Sequence, residues 1–368
     1  MNRRERWARC RQGHETDRVP LDFAGTTLTS AEPAALRHLV DYLKLPPAGP
    51  DVQMKRIQGI LDVDFRRVGY LIEPPSRLSR PIAGGRYVDS WGITRRWTGL
   101  YYDIIDHPLK GATLADLAAF PWPQADEIPQ AWFDQYAASA RRLFEETDYV
   151  VVGEHPVYGY FELGCWMCGF DDFLYRLAAE PEFVEAFFQR YHDYVRQVTE
   201  RYYQAIGPWI QVTSSGDDFG MQNGPFLSPA SFRELIAPWY RKRIQLTKSL
   251  TNADYFHHTC GSVYRLMDDI QAMGVDILNP IQPGATDMEP ERLKAEFGER
   301  LIFWGGLDEQ NLLTNGTTQE VTEEARRVAG ILSAGGRYVA APSHNIQADV
   351  PPENIVALYR ALGGDVKC

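Results

Sequence analysis

Residues 255–278 read YFHHTCGSVYRLMDDIQAMGVDIL, and this stretch decides the fold class. Tyr255–His258 is a short run of aromatic residues and histidine that suits a strand. Ser262–Met273 is a helical pattern. Gly274 sits just past the helix end, where a left-handed residue is wanted. Val275–Leu278 is a second short apolar run. A strand, a helix and a strand in so few residues make one unit of a parallel α/β sheet.

The same alternation runs outward in both directions. Val19–Phe23, Asp62–Val68, Tyr149–Gly153 and Trp209–Thr213 precede the unit as strand-like runs, and Leu301–Trp304 and Tyr338–Ala341 follow it. With the two quoted runs that makes eight. Runs rich in Val, Ile, Tyr and Phe without polar alternation suit strands buried on both faces. Helical patterns lie between them at Glu32–Leu43, Ala131–Glu146, Phe170–Ile206 (long enough for two helices), Pro229–Leu250, Glu289–Phe297 and Thr317–Ser333. Pro352–Leu362 closes the chain. Ser228-Pro229 places a cap residue before a first-turn proline, and Gly335 ends another helix. The count of eight predicts a single (β/α)8 barrel over residues 1–368 with an N-terminal arm at 1–18. A doubly wound open sheet is the rival, but no Gly-rich phosphate fingerprint follows the first run. Arg80–Leu100, with Gly84-Gly85 between alternating runs, reads as an inserted hairpin or three-stranded lid. Phe120–Pro129 reads as a loop.

Composition narrows the function. The 368 residues carry a net charge of −11, which argues against nucleic acid and against an anionic membrane surface. No apolar run is long enough for a transmembrane helix, and the basic start Met1–Arg6 lacks the apolar segment of a signal peptide. Five cysteines, an odd number in a large chain, do not suggest a disulfide framework, so a reducing cytoplasm is expected.

Barrel enzymes gather their chemistry at the C-terminal strand ends. There the chain offers Glu154, His155, Tyr158, Tyr160 and Glu162, then Asp217, Asp218, Gln222 and Asn223. His257–Gly261, Asn279 with Gln282, Gly305–Asp308 and Ser343–Asn345 follow. His258 and Cys260 stand two apart, so an extended chain points both the same way. Both are good zinc ligands, but two ligands are not a site. Glu154, Glu162, Asp217, Asp218 or His344 could complete it. The bland alternative is a hydrogen-bonded histidine beside a small buried thiol. Cys165-Trp-Met-Cys168 has no matching second pair and reads as buried, inert thiols. Cys10 and Cys368 need no role. Adjacent Asp217 and Asp218 point to opposite sides, one facing the cleft and the other capping the next helix. Asp308 follows two glycines that let backbone approach a ligand, or that simply make a turn. Trp91, Trp97 and Trp304 could line a pocket or belong to the core.

Several stretches together resemble the uroporphyrinogen decarboxylase superfamily. They are Arg4-Glu-Arg-Trp, Asp17-Arg-Val-Pro-Leu-Asp-Phe, the run Asp218–Arg233, His258-Thr-Cys-Gly-Ser-Val, Gly305-Gly-Leu-Asp and Ser343–Asn354. The resemblance implies a single (β/α)8 barrel, and a homodimer is common in that superfamily. Decarboxylases carry an N-terminal Arg-Gln-Ala-Gly-Arg-Tyr segment whose arginines hold tetrapyrrole carboxylates. The matching region here is Asp22-Phe-Ala-Gly-Thr-Thr, without an arginine, so an octacarboxylate substrate is electrostatically disfavoured. His258-x-Cys260 instead resembles the first two zinc ligands of the corrinoid-dependent methyltransferase branch. That branch usually supplies a third ligand, a cysteine, after the last strand. This chain has Ser343-His344 there, so His344 or a carboxylate completes the site, or zinc binds weakly, or the site is metal-free. Glu162 resembles a glutamate common in that subgroup.

The resemblance therefore implies a cytoplasmic methyltransferase with Zn2+ held by His258, Cys260 and Glu162. It would move a methyl group between a small O- or N-methyl compound, or a thiol, and a corrinoid. No Asp-x-His-x-x-Gly run is present, so the corrinoid must come in trans on a partner protein. Asp218, His344 and Glu162 are the expected catalytic groups. Glu154, Tyr158, Tyr160, Gln222, Asn279 and Asp308 are expected to line the substrate, with Trp91 and Trp97 walling the mouth. Metal-free decarboxylation is the runner-up, with a non-catalytic binding protein third.

Overall fold

The computed structural model describes residues 1–75, 79–99, 101–363 and 366. Position 100, the end of the inserted segment, and Cys368 lie outside them. Seven short strands form one curled parallel sheet in chain order: Phe65–Val68, Val150–Gly153, Val212–Thr213, Asp254–His258, Ile277–Asn279, Ile302–Leu307 and Tyr338–Pro342. Each pairs in parallel with the next. Seven of the eight expected runs are thus strands. The eighth, Val19–Phe23, contributes a single parallel bridge between Leu21 and Ala340. Pro20 has no N–H to extend a ladder. Its carbonyl accepts from Ala340 N–H at 2.9 Å, and Asp22 N–H donates to the Ala340 carbonyl at 3.0 Å. The Leu21 carbonyl accepts from Asp64 N–H at 2.8 Å, just before the first strand.

Side chains alternate across each strand, and that alternation makes two cores. Phe65, Val150, Val152, Val212, Phe256, Ile277, Ile302, Trp304, Val339 and Ala341 form one buried cluster on the concave face. Trp7, from the helix Arg3–Arg11, joins it, with its ring 5.6 Å from Phe65. The intervening residues, among them Val68, Val151, Tyr255, Leu278 and Phe303, belong to a larger cluster shared with the outer helices. Strands covered on both faces read as near-continuous apolar runs, which is why they were legible.

The outer helices follow the expected order. Phe170–Ile206 is two helices, Phe170–Ala179 and Pro181–Ile206, broken before Pro181. Pro229–Leu250 starts with one helical turn and a π turn at Phe232–Ile236 before the regular helix Ala237–Leu250. Arg3–Arg11, Pro50–Ile60, Leu114–Ala119 and Tyr160–Cys168 are helices that the patterns did not reveal. Gly305 and Gly306 lie inside a strand rather than after it. The insertion is larger than a hairpin. Arg80–Ile82, Arg86–Val88, Thr94–Trp97 and Tyr102–Asp106 form a four-stranded antiparallel sheet. No helix among the described residues is long and apolar enough to cross a membrane.

The N-terminal arm is tied down by charge. Asp64, at the foot of the first strand, accepts from Arg6 at 2.5 Å, Arg18 at 2.7 Å and Leu21 N–H at 2.8 Å. Its side chain is 1% exposed. Removing one partner of a buried ion pair leaves the other charge stranded, at about 3–5 kcal/mol. Asp64→Ala should therefore lower the unfolding free energy by that amount in a urea titration. A loss below about 1 kcal/mol would show that the arm is held by Trp7 and its apolar contacts instead.

Candidate functional site

The concave face changes character one step beyond its apolar layer. Period-two spacing carries Phe65 to Arg67, Val152 to Glu154, Val212 to Ser214, Phe256 to His258 and Ile277 to Asn279. A polar rim therefore crowns the C-terminal end of the sheet. His258 is its centre. Asn279 Nδ2 donates to the Trp304 carbonyl at 3.0 Å, which turns its Oδ1 toward His258 Nδ1 at 2.6 Å. The imidazole must keep its proton on Nδ1 to make that bond, so the Nε2 lone pair faces outward. Cys260 Sγ lies 3.2 Å from that Nε2. The His344 ring stands 5.4 Å from the His258 ring. One ligand atom from each of His258, Cys260 and His344 falls within 4.8 Å of the others.

Two carboxylates flank this cluster. Asp218 Oδ1 accepts from Cys260 N–H at 2.7 Å and lies 3.9 Å from His258 Nε2. Burial together with Asp218 and Asp217 holds the Glu162 carboxyl well above the usual range. Asp217 points the other way, as adjacent residues must. It accepts from Phe161 N–H at 2.8 Å, Glu162 N–H at 2.7 Å and Tyr240 Oη at 2.7 Å. Asp217 thus caps the Tyr160–Cys168 helix, which precedes it in the chain, and so fixes where Glu162 stands. Gly159 permits this. A Cβ there would come within 2.3 Å of the Asp217 carboxyl carbon. Gly261, at φ +78°, lets the chain turn directly after Cys260 against Gly220 and Met221.

The Uroporphyrinogen decarboxylase (URO-D) family profile matches residues 125–363, about two-thirds of the chain. The chain belongs to the URO-D family. Among solved structures, a methyltransferase from Methanosarcina mazei is similar over 98% of this chain and 98% of its own, with a TM-score of 0.66 and 17% identity. A xylanase 10B from Thermotoga maritima is similar over 66% of this chain and 82% of its own, with a TM-score of 0.40 and 12% identity. No curated protein matches the chain.

Within this URO-D chain the other expected residues take varied places. Glu154 is buried on the rim and accepts from Thr27 N–H, Ser214 Oγ and both His155 N–H and Nδ1. His155 and Arg67 bring its carboxyl down to about 2 against burial. Asn279 orients His258. Tyr160 is fully buried with its hydroxyl on His192 Nδ1, among Phe188, Tyr191 and Tyr240. Tyr158 stands edge-on to Trp166 and faces Glu73 and Asp89. Gln222 donates to the Gly284 carbonyl and staples two loops. Asp308 accepts from Gln310 and Asn311 N–H and caps the turn Glu309–Leu313. Trp91 is buried against Trp122, Tyr191 and Tyr194, whereas Trp97 is half exposed. Trp304 lies in the concave core and donates to Asp22. Cys165 and Cys168 close the Tyr160–Cys168 helix rather than opening one, and burial pushes the Cys168 thiol up to about 12. Sequence reading missed Arg67 and Ser214. Counting by twos from Phe65 and Val212 would have found both.

The cap by Asp217 is testable. Asp217→Ala removes the acceptor of two helix-terminal N–H groups and one buried hydroxyl, and should cost about 1–3 kcal/mol. Guanidinium unfolding that moves by less than about 0.5 kcal/mol would show that the helix start holds itself.

Proposed function

We propose that this URO-D chain is a zinc-dependent methyltransferase. It moves a methyl group between a small O- or N-methyl compound, or a thiol, and a corrinoid carried by a partner protein. One observation supports this most: two imidazoles and a thiol converge within 4.8 Å at the rim of the sheet. Three nitrogen and sulfur ligands with a fourth position left open are the pattern of catalytic zinc. His344 takes the place where the methyltransferase branch usually has cysteine, and Glu162 stands beside the set as a fourth donor or as a proton carrier. In the same reading Leu21 closes the sheet as an eighth strand, completing a (β/α)8 barrel, and the antiparallel sheet at Arg80–Asp106 serves as its lid.

The protein groups are poised for such a role. Burial lowers His258, and burial with the neighbouring His258 lowers His344 to about 4. Both rings are neutral at pH 7 and keep a lone pair to give. Burial, Asp218 and Glu162 all raise the Cys260 thiol, which therefore holds its proton until a cation displaces it. Zinc bound there supplies a Lewis acid that polarises the heteroatom losing its methyl or holds an acceptor thiol as thiolate. A reduced corrinoid, when supplied by the partner, would accept the methyl, and the heteroatom would keep the bonding pair of the broken C–O or C–N bond. Glu162, kept protonated by its surroundings, gives its proton to the departing oxygen or nitrogen. Asp218 holds the Cys260 backbone in place throughout.

Metal uptake gives the first test. Zinc titrated into metal-free protein at pH 7 should release roughly one proton per ion, from Cys260 alone, measured by calorimetry in buffers of differing ionisation enthalpy. His258→Ala, Cys260→Ala and His344→Ala should each abolish tight uptake. Asn279→Ala should weaken it about 10–100-fold by freeing the His258 ring. Wild type that takes up no zinc sinks the ligand assignment. The second test is turnover. Methylated ethers, amines and thiols, supplied with reduced or methylated cobalamin, should yield a change in the cobalt spectrum that the Glu162→Gln variant slows at least tenfold. The family match keeps decarboxylation as the rival. Coproporphyrinogen appearing from uroporphyrinogen at an enzyme-like rate would reverse the ranking.

A further inference from the structure

Arg67 is the rim residue that the proposed transfer leaves without a task. It lies two positions beyond Phe65, which is part of the concave apolar cluster, so both side chains leave the same face of the strand. Arg66, between them, is buried on the opposite face and stacks on Tyr149 at 3.7 Å. The Arg67 side chain keeps 35% of its exposure. Its nearest described carboxylate oxygen, on Glu154, is 3.8 Å away, beyond hydrogen-bond length. Glu154 feels its charge but takes its hydrogen bonds elsewhere. Thr27 N–H at 2.5 Å, Ser214 Oγ at 2.9 Å, His155 N–H at 3.1 Å and His155 Nδ1 at 2.9 Å already occupy that carboxylate. The guanidinium makes no hydrogen bond among the described residues. By contrast, Arg6 and Arg18 are both committed to Asp64. A planar fork of five donors, directed over a rim and left unspent, matches the geometry of a carboxylate.

Position and charge agree. The first strand and the His258 strand are three steps apart in the sheet, roughly 14 Å along its curve and less across it. An arginine side chain and a ring-sized molecule together span that gap. Asp218 stands on the His258 side, and the Glu154 carboxylate beside Arg67 is already occupied by four donors, so the rim cation open to an anionic end is Arg67.

We propose that Arg67 binds the carboxylate of the methyl-bearing substrate, so that the methyl compound is a small methylated organic acid held with its methyl end at His258, Cys260 and His344. This rests on the reading of the rim as the site of methyl transfer, but binding tests it separately. The probes are two pairs, 4-methoxybenzoate with 4-methoxybenzamide and methoxyacetate with methoxyacetamide. Each is titrated by ligand-observed NMR into full-length zinc-loaded protein. Wild type should favour the acid over its amide by about tenfold or more in at least one pair. Arg67→Gln should erase that preference, and Arg67→Lys should restore part of it. If Arg67 only balances Glu154, Arg67→Gln lowers the melting temperature and leaves the preference untouched. That result overturns the proposal, as does a wild type with no preference in either pair. Acid binding through Arg67 without any methyl reaching cobalamin would sink the transfer reading and leave this one standing. Transfer from neutral donors at an unchanged rate in Arg67→Gln would do the reverse.

Discussion

The two-residue repeat of an extended chain sets the terms for everything at the rim. A side chain that leaves a curled sheet on its concave side has little room and little water. In the first layers that space takes Phe65, Val152, Val212, Phe256, Ile277 and Trp304. One step further the same geometry would bury Glu154, Ser214, His258 and Asn279, and each buried polar group must then find a partner or cost about 1–3 kcal/mol. The partners are present. The Trp304 carbonyl fixes Asn279, Asn279 fixes His258, and Glu154 gathers four donors. Packing below the rim thus determines which imidazole nitrogen is left free above it. His257, on the other side of the same strand, has a parallel chain: Ser215 Oγ donates to the Phe256 carbonyl at 3.0 Å and lies 2.9 Å from His257 Nδ1. Its Nε2 is buried without a partner, and the ring lies neutral against Phe219 and Tyr240.

The same alternation divides the labour of Asp217 and Asp218. Two adjacent carboxylates cannot reach one cleft, so one becomes structural and the other local to Cys260. The structural member has a further effect. By accepting from the Phe161 and Glu162 backbone it draws the start of the Tyr160–Cys168 helix to the rim, and Glu162 with it. Burial, with the neighbouring charges of Asp218 and Asp217, keeps a proton on Glu162. A carboxyl that holds its proton therefore needs no special residue, only enclosure beside other carboxylates strong enough to outweigh the helix N-terminus it sits on.

How far the sequence shows all this depends on the scale of the cause. Strands sheathed on both faces declare themselves as apolar runs, so seven of them and the order of helices between them were readable. His258, Cys260, His344, Asp218 and Glu162 were also readable as residues beyond strand ends, and the structure brings them together. What escaped depends on partners distant in sequence. Val19–Phe23 has strand composition, yet Pro20 withholds a donor and leaves a single bridge. Tyr160 and Trp91 look like pocket aromatics, but helix Pro181–Ile206 offers each a packing surface that no local pattern reveals. Asp308 follows glycines suited to a ligand and instead caps its own turn. Arg67 was missed for another reason: attention went to residues after each run, while the rim begins within it.

The exchange of the usual cysteine for His344 bears on what the centre could do. A zinc ion held by two thiolates and one imidazole has no net charge. Held by Cys260, His258 and His344, as proposed, it would keep one positive charge. Such an ion pulls harder on an ether oxygen or an amine and binds an anionic fourth ligand more tightly. It would also attract the Glu162 carboxylate once its proton has gone. Asp218, whose Oδ1 lies 3.9 Å from His258 Nε2 and accepts from the Cys260 N–H, would share that attraction. On this reading the extra positive charge left by His344 would be matched by the two carboxylates beside the ion, whether Glu162 serves as its fourth donor or only as a proton carrier.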